Sequence, residues 1–173
     1  MVMKTLGIDQ SYTNSGIVLI NDQKLDIIDL YKSDAKTDKP ARAWEIAQHI
    51  GNIVHVNRPD VVAMEGLAFG MRGDATRDLA GLQFVIACIL RYEHNTEVSI
   101  VSPRTVKKFA TGSGKADKMA LFEALPDPVQ TAFNETGAKK TTGLLDLTDA
   151  YWIAKIASDP DFKSQGFAKP KKR

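Results

Sequence analysis

Cysteine and histidine are scarce in this 173-residue chain, with one of the first and three of the second. A lone thiol, Cys88, excludes an intrachain disulfide, and its setting in the apolar run FVIACIL predicts a small buried hydrophobe in a reducing compartment. The three histidines, His49, His55 and His94, fall on or at the ends of predicted helices and read as structural or surface residues. No apolar stretch is long enough for a signal peptide or a membrane span, so the expectation is a cytoplasmic protein with no membrane partner. Internal repeats are absent. The segment GSGKAD lacks the glycine at Phe109 and the hydroxyl at Ala116 that a phosphate loop of the Walker type requires.

What is present is a chain 43% hydrophobic, enough for one compact domain over residues 1–160, followed by a flexible basic tail over 161–173. The net charge is only +2 but is unevenly spread. Residues 1–100 carry 10 basic against 13 acidic side chains, and residues 101–173 carry 13 against 8. The basic half holds a cluster from Arg104 through Lys107, Lys108, Lys115 and Lys118, of the kind that neutralises phosphates, and the tail KSQGFAKPKKR, which also reads as a frayed terminus.

Residues 3–9 alternate so that Leu6 and Ile8 face one side and Thr5, Gly7 and Asp9 the other, the mark of a strand. GIVLI and KLDIIDLYK flank the turn signal NDQ, so residues 16–32 predict a hairpin and the sheet opens as a three-strand meander. Trp44, Ala47, Ile50 and Val54 predict an amphipathic helix over about residues 40–57. PDVVAMEG reads as a central strand ending at Glu65. LAFGMRGDATRD reads as a mobile loop. A helix over about residues 77–94 follows, apolar almost all round from Phe84 to Leu90, and that surplus points to a subunit interface through Phe84, Ile86 and Leu90. Then come a strand in TEVSIVS, a short helix opened by Pro103, a break at TGSG, a helix from about Asp117 to Leu125, and a last helix in LLDLTDAYWIAKIA. The predicted class is an α/β sandwich on a mixed sheet.

Four carboxylates stand out in that frame. Asp9 ends the first strand, Glu65 ends the central strand, and Asp146 and Asp149 lie one turn apart on the last helix. If the first and central strands are neighbours, all four converge. Such a cluster is unfavourable unless cations hold it, and oxygen-only donors favour Mg²⁺ or Mn²⁺. Two ions about 3.5–4 Å apart would clamp the attacking and leaving oxygens of a phosphodiester. Each acid has a plainer reading: an Asx-type turn for Asp9, and complementing a helix dipole for Asp146 and Asp149.

The stretches LGIDQSYTNSGIVLI, VVAMEGLAFG, VSPRTVKKFATGSGKADKMAL and DLTDAYWIA resemble the four ordered motifs of RuvC-type Holliday-junction resolvases. The resemblance implies a ribonuclease-H-like fold with a five-stranded sheet, of three antiparallel and two parallel strands, and a homodimer that nicks opposed strands of a four-way DNA junction. It implies two Mg²⁺ ions, for which Mn²⁺ substitutes, bound by Asp9, Glu65, Asp146 and Asp149, with Asp9 bridging and metal-activated water as nucleophile. Lys107 and Lys118 match DNA-contacting lysines, with Lys108 and Lys115 as helpers, and Arg104 from the same basic cluster completes the expected DNA-binding set. Phe69 lies where the family places an aromatic wedge, one residue further from its glutamate than in bacterial members, with Arg72 on the same loop. Gln10 and Ser11 replace the Pro-Gly of bacterial members, marking a divergent, phage-type branch that would take forks or flaps besides four-way junctions. Two other readings compete. A catalytically silent branched-DNA binder is opposed by the four intact acids, and a phosphotransferase of the actin and sugar-kinase type by the chain's length.

Overall fold

The structure, a computed structural model, describes residues 3–67 and 73–162. Three antiparallel strands open the chain: β1 (Lys4–Asp9), β2 (Asn14–Asn21) and β3 (Lys24–Lys32). Asp22 and Gln23 join β2 to β3, both with positive φ, which matches a tight turn to the strands' right-handed twist. Helix α1 (Lys39–Asn57) leads into β4 (Val61–Glu65), and helix α2 (Asp74–His94) into β5 (Val98–Val101). Four helices close the chain: α3 (Pro103–Thr111), α4 (Lys118–Glu123), α5 (Asp127–Glu135) and α6 (Leu144–Ala157). The sheet order is β3-β2-β1-β4-β5, with β4 parallel to both β1 and β5. This is the expected mixed five-stranded sheet.

Each face of the sheet carries its own core. Leu6, Ile8, Ile17, Leu19, Val62 and Met64 pack against α1 and α2. On the opposite face Val18, Ile20 and Ala63 pack against α6, which α3, α4 and α5 enclose in turn. Helix α6 is buried nearly all round because it is sandwiched between sheet and helices. Its approach is set by two glycines. A Cβ on Gly7 would stand 2.0 Å from the Ala150 carbonyl oxygen, and one on Gly16 would stand 2.3 Å from that of Asp146.

Several expectations are corrected. Helix α1 turns Ala43, Ile46, Ala47, Ile50 and Val54 inward, and Trp44, one position off that stripe, is 52% exposed. Helix α2 begins at Asp74, so the second half of the expected loop is helical. Ile86 and Leu90 are fully buried in the chain's own core and are closed to a partner. The outward stripe of α2 is instead Phe84, Cys88 and Tyr92, so Cys88 is exposed rather than buried. Helix α5 lies outside the expected elements: Pro126 and Pro128 look like breakers in the sequence, but proline is tolerated in a first helical turn. The expectations for Phe69 and Arg72, and for the basic tail, lie outside the described residues.

Candidate active site

β1 and β4 are parallel neighbours with Ile8 opposite Met64, so Asp9 and Glu65 emerge side by side at the carboxyl end of the sheet. Both have the parity that faces α6, since Gly7 contacts α6 and Ala63 belongs to the core on that side. Asp9 pairs across β1 and β2 with Gly16, whose missing side chain admits the Asp146 backbone. The first two turns of α6 therefore bring Asp146 and Asp149 over the strand ends. The turn after β1 is closed by Ser11 and Ser15, with the Ser15 hydroxyl donating to the Ser11 carbonyl at 2.8 Å, so Asp9 is not needed as a turn former.

The four acids crowd one another. Burial, then the charges of Glu65 and Asp149, push Asp9 well above the usual carboxylate range. Burial and Asp149 raise Glu65 to about 7, opposed by Lys118 and a hydrogen bond with Asp9. Asp146 is raised by burial and by Asp149, partly offset by Lys118. It lies in the first turn of α6, where no side chain caps the helix, so its dipole-complementing place and its place in the cluster coincide. Asp149 is raised by burial and held back by Lys118 and Lys107.

Lys118 is lodged among these carboxylates. Its Nζ lies 2.9 Å from Asp149 Oδ2. Burial alone would lower its pKa, yet Asp149, Asp9 and Glu65 together carry it above the ordinary lysine value. The Asp117 carboxylate caps α4 by accepting from the Ala120 amide at 2.9 Å, which starts the helix at Lys118 and sets its direction. Lys107 on α3 is the other lysine acting on Asp149. Arg104, Lys108 and Lys115 are exposed; Arg104 and Lys108 line a groove along α3 instead.

Two glutamines brace Glu65. Its carbonyl oxygen accepts from Gln10 Nε2 at 2.7 Å and from Gln83 Nε2 at 2.9 Å, and both glutamines are buried. The replacement of proline by Gln10 was visible in the sequence as a departure, but its use was not: it makes a cross-strand clamp that proline lacks the donor to make. Gln83 carried no signal beyond being polar in an apolar helix.

Among the described residues no three His, Cys, Asp or Glu groups are already drawn into a metal-holding cluster. The donor set nevertheless fits a hard divalent cation: four buried or half-buried carboxylates, each with a raised pKa, already accommodate one positive charge, the ammonium group of Lys118.

Residues 5–125 match the family model described as crossover junction endodeoxyribonuclease RuvC. The chain belongs to the RuvC family. The match ends before Asp146 and Asp149, so their assignment to the site rests on the approach of α6. The RuvC of Gloeobacter violaceus is 29% identical over 133 residues, covering 71% of this chain and 73% of its own. Thermus thermophilus RuvC in complex with Holliday junction substrate aligns with a TM-score of 0.66 at 20% identity, covering 88% and 90% of the two chains. Fowlpox virus resolvase, solved with substrate Holliday junction DNA, aligns with a TM-score of 0.51 at 19% identity, covering 90% and 95%. These two likenesses establish the RuvC fold, a sheet of the ribonuclease-H-like kind. Like other RuvC members, the chain is a metal-dependent nuclease by family, and no helix among its described residues is long and apolar enough to cross a membrane.

Proposed function

We propose that this chain is a structure-selective endodeoxyribonuclease that resolves Holliday junctions and related branched DNA by paired nicks, acting as a homodimer in the cytoplasm of a bacterium or of a phage's host. The observation that carries this reading is the convergence of Asp9, Glu65, Asp146 and Asp149 at the sheet's carboxyl end, with Lys118 paired to Asp149. Asp9, Glu65, Asp146 and Asp149 would hold two Mg²⁺ ions, with Mn²⁺ as substitute. Bound there, the ions supply water activation and charge stabilisation at a phosphodiester.

The chain's own side chains do the rest. Lys118 and Lys107 offset the field of the acids and attract a phosphate to a site that would otherwise repel it. Gln10 and Gln83 keep the end of β4 from shifting as charge enters and leaves. Arg104, Lys108 and Lys115 extend the basic surface along which a DNA backbone is held. The exposed stripe Phe84, Cys88 and Tyr92, spaced four residues apart on α2, is the face offered to the second subunit.

Mn²⁺ binding tests the metal assignment, read by calorimetry on the purified protein and on Asp9→Asn. Two sites per chain are expected in the wild type and at most one in the variant. A wild type that binds no Mn²⁺ would make the cluster a structural feature and favour the silent DNA-binding reading.

A further inference from the structure

Helix α3 presents a second, differently built surface. Val106 points into the core and Lys107 acts on Asp149. Ser102, Arg104, Thr105, Lys108 and Phe109 instead line an open groove of about 440 Å³. Phe109 is 44% exposed, with Arg104 and Lys108 lining the same groove. Its ring is held edge-on against Trp152, centroids 6.1 Å apart, and the Trp152 indole N–H donates to the Leu121 carbonyl at 3.0 Å. The Arg104 side chain lies over Gly114, where a Cβ would come within 2.9 Å of its Cγ.

We propose that this groove binds an unpaired nucleotide of a branched DNA, with the base stacked on Phe109 and its phosphates held by Arg104 and Lys108. The inference rests on the endonuclease reading and extends its substrates beyond four-way junctions to branches with a single-stranded arm, such as forks and flaps. The chemistry selects such an arm over duplex. A paired arm offers α3 only its backbone, whereas an unpaired one offers phosphates and a free π-face together. Charge sets the side from which the arm arrives. Helix α3 contains three basic residues and no acid, while the depression beyond Phe109 is bordered by Asp159 and Asp161 and repels a phosphate chain.

The test is equilibrium binding in chelator, which prevents cutting, of the full chain to a fork carrying 2-aminopurine in its single-stranded arm, to a four-way junction and to linear duplex. Phe109→Leu keeps an apolar cover over Trp152 but has no stacking face. It should lower the fork-to-junction affinity ratio about tenfold and abolish the 2-aminopurine quench, and Phe109→Trp should restore both. A Phe109→Leu protein with wild-type melting temperature that keeps the ratio and the quench overturns the proposal, as does an equal loss on fork and junction. A wild type that binds no branched DNA above linear duplex overturns the endonuclease reading itself, and that outcome is read without any variant.

Discussion

Glu65→Gln gives the sharpest handle on the crowded carboxylates. In the metal-free protein Glu65 titrates at about 7 rather than at its ordinary 4.5, raised by burial and Asp149. Between those values the folded chain still holds a proton that the unfolded chain has released, so stability falls as pH rises through that interval. The stability is fully present below about 4.5 and lost above about 7. A shift of this size corresponds to about 3 kcal/mol above both values, an upper bound because neighbouring groups share it. At this chain length 1 kcal/mol moves the melting temperature by about 2–4 °C. Glu65→Gln should therefore melt up to roughly 6–12 °C above wild type at pH 8 in chelator, and the gap should close towards pH 5. Millimolar Mg²⁺ at pH 8 should raise the wild type by more than the variant, which keeps only three of the four acids, because a cation that binds the folded state alone stabilises it. Differential scanning fluorimetry across pH, with chelator or Mg²⁺, reads all four arms. A wild-type melting temperature that rises from pH 5 to pH 8 in chelator, or a variant that melts at or below wild type at pH 8, would refute the crowding of charge at this site.

Further expectations follow from particular contacts. Gly7→Ala should cost about 3 kcal/mol or more in denaturant unfolding, because its methyl would strike the Ala150 carbonyl and the only relief is to lift α6 off the sheet; a loss under 1 kcal/mol would mean α6 is free to retreat. In light scattering, Phe84→Asp should give a folded monomer that no longer makes paired nicks, whereas Ile86→Asp should unfold the chain; a Phe84→Asp dimer would place the interface elsewhere. Lys107→Ala with Lys118→Ala should weaken binding to every branched substrate and flatten the salt dependence of log K by up to about 2; an unchanged slope would leave both lysines bound to carboxylates rather than to phosphate.

Much of the site was legible because strand parity and helix spacing are one-dimensional rules. The alternation in residues 3–9 placed Asp9 opposite Leu6 and Ile8, and the three-residue interval put Asp146 and Asp149 on one side of α6. The parallel pairing of β1 with β4, on which the expected convergence was conditional, is what joins the two pairs of acids. Tertiary choices were less visible. An apolar run such as FVIACIL does not reveal which of its sides meets the sheet, so Ile86 and Leu90 were assigned outward and Cys88 inward, the reverse of their positions. Trp44 fits helical spacing as well as Ala43 does, and only the packed structure shows the stripe centred on Ala43, Ala47 and Ile50. Lys118 matched a DNA-contacting lysine through the resemblance alone, and its pairing with Asp149, 31 positions away, lies beyond any local pattern. The glutamine clamp on Glu65 is likewise built from residues 55 and 18 positions away.

The most direct test of the central claim is cleavage of a synthetic four-way junction by the purified protein, in Mg²⁺, Mn²⁺ or chelator, beside Asp9→Asn and Asp149→Asn. Paired nicks on opposed strands that need the metal and vanish in both variants, while the variants still bind the junction, are the predicted result. Tight junction binding without cutting by the wild type in either metal would contradict the account and leave a branched-DNA binder built on a nuclease fold.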